Sequence, residues 1–255
     1  MIVRLNLEQN ASLCMNTIKK QAHIAGILYL LASIAAVFAW VYVNGKIFVR
    51  DDATATANNI RASETLLRLG IAGELIGSII FIFVVLALYR LFKAVSEKQA
   101  MAMAILLLIS TPISLLAVLG ELAALIVADG GNFLSIFDQH QLDGLSYLFF
   151  RLHGQALVVA QIFWGLWLFP FGTLVIRCGF IPRFLGFLLF IAGLGYLIGS
   201  FSVLVLPNYK QLGNQIAMIL EFCELPIILW LLIWGAKPHG LPGQSAVART
   251  AVTPG

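Results

Sequence analysis

The sequence predicts an all-α fold: a polytopic transmembrane bundle of six spanning helices with both termini in the cytoplasm. Three observations predict it. Of 255 residues, 60% are hydrophobic and 11% charged, where a soluble domain carries roughly 25% charged residues. The mean hydropathy is +0.95. The apolar residues also fall in six continuous runs, each near or above the roughly 20 helical residues that cross a hydrocarbon core of about 30 Å. A transmembrane barrel would show alternating segments of about ten residues instead. The length suits one bundle with no second domain. Residues 1–20 are expected to form a cytoplasmic tail, 21–236 the membrane domain and 237–255 a flexible cytoplasmic tail.

The first run covers residues 23–43 and follows Lys19 and Lys20. It exceeds the 7–15 apolar residues of a signal peptide, so it reads as an uncleaved helix. The stretch before Met15 has no apolar periodicity and is expected to be disordered. The second run is 69–91. The segment before it, "ATATANNIRASETLLRLGIAGEL" (53–75), has few breakers ahead of Gly70 and is expected to extend that helix beyond the membrane. Arg61, Glu64 and Arg68 would share one face there and pair. The third run, 103–128, contains Pro112. Residues 129–150 mix aromatic and polar side chains and suit a segment lying on the outer surface. The fourth run, 153–176, contains Pro170, the fifth is 184–206 with Pro207 as its stop, and the sixth is 214–234. Interior prolines are tolerated in membrane helices. Trp40, Tyr42, Trp230 and Trp234 near run ends fit aromatic belts. Gly73 with Gly77, and Gly195 with Gly199, read as close contacts inside the bundle.

Orientation follows from the basic residues. With the N-terminus inside, ten Lys and Arg fall on the cytoplasmic side and six outside, as the positive-inside rule requires. The net charge of +4 does not mark a nucleic-acid binder, because no basic cluster exceeds two consecutive residues. Three cysteines without CxxC spacing form neither a disulfide framework nor a zinc ribbon. Nucleotide-binding loops, nucleophile elbows and dinucleotide fingerprints are absent from the sequence, so neither a cofactor nor a catalytic residue is assigned.

The segments "MNTIKKQAHIAGILYLLASI", "ANNIRASETLLRLGIAGELIGSIIFI" and "VVLALYRLFKAV", and above all "FWGLWLFPFGTLVIRCGFIPRFLG", resemble a bacterial membrane family, the domain of unknown function number 4386. The resemblance covers about residues 15–236. It implies a polytopic inner-membrane protein and transfers no activity.

What the residues themselves offer is a set of polar side chains inside apolar runs. Glu74 lies toward the outer end of the second run. Glu121 and Glu221 are each about 10 Å below the outer boundary at 1.5 Å per residue, and Glu224 is about a turn deeper. Arg151 and His153 stand at the mouth of the fourth run, with Gln161 two turns in. A charge at the bilayer centre costs about 2.5–3.5 kcal/mol. Four glutamates facing lipid would cost on the order of 10 kcal/mol, comparable to a whole folding free energy. They are therefore expected to face one another across a polar chamber that opens outward. Its lining would be Glu74, Glu121, Arg151, His153, Gln161, Glu221 and Glu224, with Arg151, Arg68 or His153 balancing the charge.

Three readings stay open. The chamber binds a cation, a proton or a small molecule for transport or sensing. Or the set is a packing network in a structural or accessory membrane protein. Or His153, Glu74, Glu121 and Glu221 hold a metal in an intramembrane hydrolase, although HExxH and paired-histidine spacings are absent from the sequence. The expected partners are the lipid bilayer and a cation or small-molecule ligand, with no nucleic acid. His23, His140 and His239 read as interfacial, loop and tail residues.

Overall fold

The computed structural model describes residues 2–237, with backbone alone for residues 2–14. The described residues are 88% helical and contain no strand. Six helical spans are long and apolar enough to cross a membrane. Their lipid-side faces carry exposed Ile76, Ile79 and Phe83 on the second span and Leu116 and Leu119 on the third. The chain is therefore a polytopic transmembrane bundle.

The first span is α1 (Ile2–Ala36), a π-helical segment (Val37–Val43) and the short α2 (Asn44–Ile47). The stretch before Met15, expected to be disordered, continues the α1 backbone to Ile2. The tail past residue 237, with His239, lies outside the described residues.

Next, α3 (Ala53–Ala62) begins at Asp52, whose carboxylate accepts from the Ala55 amide at 2.8 Å. It does not extend the second span. Ser63, at φ −126° and ψ 34°, breaks it from α4 (Glu64–Phe92). The break frees Arg61 from the expected face. It donates to Asp143 at 3.0 Å and to the Ala128 carbonyl at 3.3 Å, while Arg68 pairs with Glu64 at 2.7 Å.

The third span, α5 (Glu97–Asp129), ends at Gly130, where φ +65° requires a residue without a Cβ penalty. The fourth is α6 (Gln139–Cys178), opened by a capping box between Asp138 and Gln141. Its 40 residues make a rod of roughly 60 Å, twice the hydrocarbon thickness. Residues 139–150, expected to lie on the outer surface, are thus the first turns of this helix. Asp143, Ser146 and Phe150 share one buried face of it, and Ser146 donates to the Ala124 carbonyl at 2.8 Å. His140 is exposed in its first turn.

The fifth span is α7 (Arg183–Leu204). The sixth is interrupted: α8 (Lys210–Glu221), a 3-10 turn (Phe222–Glu224), then α9 (Leu225–Ile233) with Pro226 in its first turn. Pro226 has no amide hydrogen to give and is tolerated in this first turn, where an amide has no helical partner. The two ends of the bundle meet on one face, where His23 Nδ1 donates to the Leu232 carbonyl at 2.8 Å. The opposite face carries α3.

Packing divides the interior into two dry layers. Phe92, Leu107, Trp167 and Phe171 belong to the larger, toward the terminal face. Ile47, Ile60, Leu67, Leu125 and Phe150 belong to the other, under α3. In helix register, Glu74, Ser110, Ser114 and His153 fall between these layers, and Glu121 lies at the edge of the second, between Val118 and Ala124. Small residues allow the close crossings. A Cβ on Gly77 would meet Ala35 at 3.1 Å, and one on Gly199 would meet Ala217 at 3.0 Å, so both glycine pairs pack inside the bundle.

Candidate functional site

The polar layer contains two groups of side chains. In the first, α4, α5 and α6 bring together Glu74, Glu121 and His153, which are 2%, 2% and 1% exposed. His153 Nε2 lies 3.4 Å from Glu121 Oε1 and 3.7 Å from Glu74 Oε2. One ligating atom from each lies within 4.8 Å of the others. The approach of α6 to α5 that allows this occurs at Gly120, where a Cβ would meet the Phe149 carbonyl at 2.8 Å and the His153 amide at 2.9 Å. His153 Nδ1 is 3.2 Å from the Ala117 carbonyl. A carbonyl can only accept, so Nδ1 carries the hydrogen there. Trp40 and Asn44 of the first span face Glu74 and Glu121.

These groups are poorly satisfied. Five buried side-chain polar atoms lack a hydrogen-bond partner among the described residues, and four are here: Trp40 Nε1, both Glu74 carboxylate oxygens and His153 Nε2. Native interiors hold few such atoms, and each concentration of them calls for a missing partner.

The second group centres on Glu224. It accepts hydrogen bonds from the Tyr29 hydroxyl and, at 2.9 Å, from the Tyr196 hydroxyl. Around it stand stacked Trp40 and Trp164, with Tyr196 edge-on to Trp164, and Tyr29 between Phe81 and Trp167. These rings wall a cavity of about 290 Å³ that Glu74, Glu221, Glu224 and Gln161 also line. Lysine and arginine are absent from its lining. A wider vestibule of about 1220 Å³ lies between α2, α6, α7 and α8 on the α3 side. Trp40, Gln161 and Glu221 line both spaces and form the neck between them.

Two backbone irregularities frame the cavity. Trp40 projects from the π-helical segment, and Glu224 from the 3-10 turn of the sixth span. Such departures from α geometry redirect side chains and recur at functional sites. Across the cavity, Ser110 and Ser114 flank Pro112, and their hydroxyls donate to the Leu107 and Ser110 carbonyls of their own helix.

Of the seven residues expected to line a chamber, Glu74, Glu121 and His153 converge, and Gln161, Glu221 and Glu224 gather at the cavity. Glu221 is not part of the His153 group. Arg151 stands apart: it is exposed at the vestibule, its guanidinium 5.9 Å from the centre of the Tyr147 ring. The expected balancing arginines, Arg68 and Arg151, are engaged elsewhere, and of the three expected groups His153 meets Glu74 and Glu121. Sequence reasoning missed Tyr29 and Tyr196 and assigned Trp40 to an interfacial belt. The available signal was a tyrosine in mid-span, since a phenol in a dry interior needs a partner for its hydroxyl.

The family described as Domain of unknown function (DUF4386) matches residues 24–235. A protein of Archaeoglobus fulgidus, described as uncharacterized, is 30% identical over 167 residues, which cover 66% of this chain and 84% of its own length. No solved structure matches. The family match reaches into all six spans, and the chain belongs to the DUF4386 family.

Proposed function

We propose that this protein binds a small organic ammonium ion in the aromatic cavity, as a transport or sensing site of the bacterial cytoplasmic membrane. The observation that carries the reading is one cavity with three glutamates, a wall of tryptophan and tyrosine rings, and no lysine or arginine. A carboxylate supplies charge, and ring faces attract the alkylated surface of an ammonium with about 0.5–2 kcal/mol each. The volume, about 290 Å³, is at the small end of ligand pockets. Glu221 and Gln161 guard the neck, Glu224 lies at the base and Arg151 stands on the vestibule rim. The vestibule side would face outward, with both termini in the cytoplasm. That orientation is supported by the ten-to-six distribution of basic residues.

The test is thermal unfolding in lipid nanodiscs with tetramethylammonium chloride against sodium chloride at equal ionic strength. The expected result is a Tm rise for the wild type that Glu221→Gln loses. Identical curves for both salts across a panel that includes ethanolamine would discard the reading. A second reading is supported by Glu224 itself, which joins three spans through two phenols: a packing network in a structural or accessory protein. In that case Glu224→Gln lowers Tm in both salts alike and no amine raises it.

A further inference from the structure

We infer that Glu74, Glu121 and His153 form a binding site for one divalent first-row metal ion of the zinc or manganese class. The inference shares only Glu74 with the ammonium reading and stands without it.

The first support is the state of the imidazole. With Nδ1–H donated to the Ala117 carbonyl, Nε2 of the neutral ring presents a lone pair. A metal-bound histidine typically makes this same outer hydrogen bond, which fixes ring and tautomer. That lone pair points at two carboxylate oxygens, themselves lone-pair donors, at 3.4 and 3.7 Å. Acceptors facing acceptors repel unless a metal ion or a shared proton lies between them. Among the described residues, neither lysine nor arginine pairs with any of the three.

The second support is distance. Ligand atoms bound at 2.0–2.2 Å in tetrahedral geometry are about 3.4 Å apart. Both histidine separations match that figure, and the whole set lies within 4.8 Å, a small side-chain adjustment from closure. One imidazole and two carboxylates suit zinc or manganese. A third support is the orphaned atoms. Glu74 Oε1 and Oε2 and His153 Nε2 are buried without partners, and a bound cation would satisfy them together. Three protein ligands leave coordination positions open. Glu74 also lines the cavity and His153 the vestibule, so the set borders both spaces.

The test is equilibrium dialysis of the purified full-length protein against Zn2+ or Mn2+ in chelator-free buffer, followed by elemental analysis. The expected result is about one equivalent of metal per chain, with His153→Ala and Glu121→Gln weakening retention at least about 100-fold. Glu221→Gln keeps the metal. X-ray absorption on the zinc-loaded wild type would show a first shell with one imidazole and oxygen donors, a readout independent of whether the variants fold. Wild-type protein that retains neither metal overturns the inference, leaving the cluster to be closed by shared protons. So does a first shell without imidazole, or retention unchanged in both variants. Tetramethylammonium response in metal-stripped protein separates this outcome from the ammonium reading.

Discussion

The Tyr196 hydroxyl donates to Glu224 Oε2 at 2.9 Å and so ties the fifth span to the break in the sixth, while Tyr29 reaches the other carboxylate oxygen from the first span. Interhelical hydrogen bonds in membranes are worth about 0.6 kcal/mol on average and up to about 1.7. Tyr196→Phe should therefore lower unfolding free energy by about 1 kcal/mol, measured by denaturant titration. Because both phenols share one carboxylate, Tyr29→Phe and Tyr196→Phe together should depart from the sum of the single effects. Strict additivity would mean that the two bonds act separately.

A second prediction concerns Gly120. Its missing Cβ leaves room for the Phe149 carbonyl and the His153 amide. Gly120→Ala should force α5 from α6 and cost about 1–3 kcal/mol. Gly144 lies on α6 in open space, and a Cβ added there would meet nothing within 4 Å. Gly144→Ala should therefore be neutral or stabilise by up to about 1 kcal/mol. Equal Tm changes for the two variants would contradict the close crossing.

Arg61 holds α3 against the ends of α5 and α6. The Asp143 side chain beneath it is 4% exposed, so Arg61→Ala leaves a buried carboxylate without its cation and should cost about 2 kcal/mol. Adding Asp143→Ala should restore part of that loss. Proteolysis at the 48–63 connection, followed over time, reads out the loosened α3, and a double variant no better than the single one would refute the pairing.

Accessibility tests the vestibule. In a background without native cysteines, Glu221→Cys should react with a membrane-impermeant thiol reagent. Ile219→Cys, at a position 67% exposed on the same helix, should face lipid and stay unlabelled. Equal labelling of both would remove the neck from the description. A reporter fused after Lys237 should be active in the cytoplasm, and its activity outside would invert the orientation.

The spans were legible because an unbroken apolar run of about 20 residues matches the thickness of a bilayer and little else in a folded chain. Their ends were less so. Residues 139–150 look interfacial by composition, yet Asp143, Ser146 and Phe150 recur at helical spacing and dock on α5 and α3. Polar residues can extend a helix when a capping box starts it. The glutamates stood out because they are costly in lipid. Rise per residue gave their height but not the direction each faces around its helix. Glu221 and Glu121 were thus assigned to one cluster, whereas Glu121 meets His153 and Glu221 lines the cavity. The tyrosines were hidden because an aromatic ring in an apolar run looks like ordinary packing.

The dry layer containing Phe92, Leu107, Trp167 and Phe171 has an electrical consequence. Water in the vestibule conducts and packed hydrocarbon does not. The membrane voltage must therefore drop mainly across that layer instead of across the whole bundle. A cation held at Glu224, as proposed, would rest at the edge of that layer, beside Tyr29, so its binding should change little with voltage. Carrying it through to the far side would engage the field at about 2.3 kcal/mol per charge per 100 mV. The protein is thus built as a shallow electrode above a thin insulator.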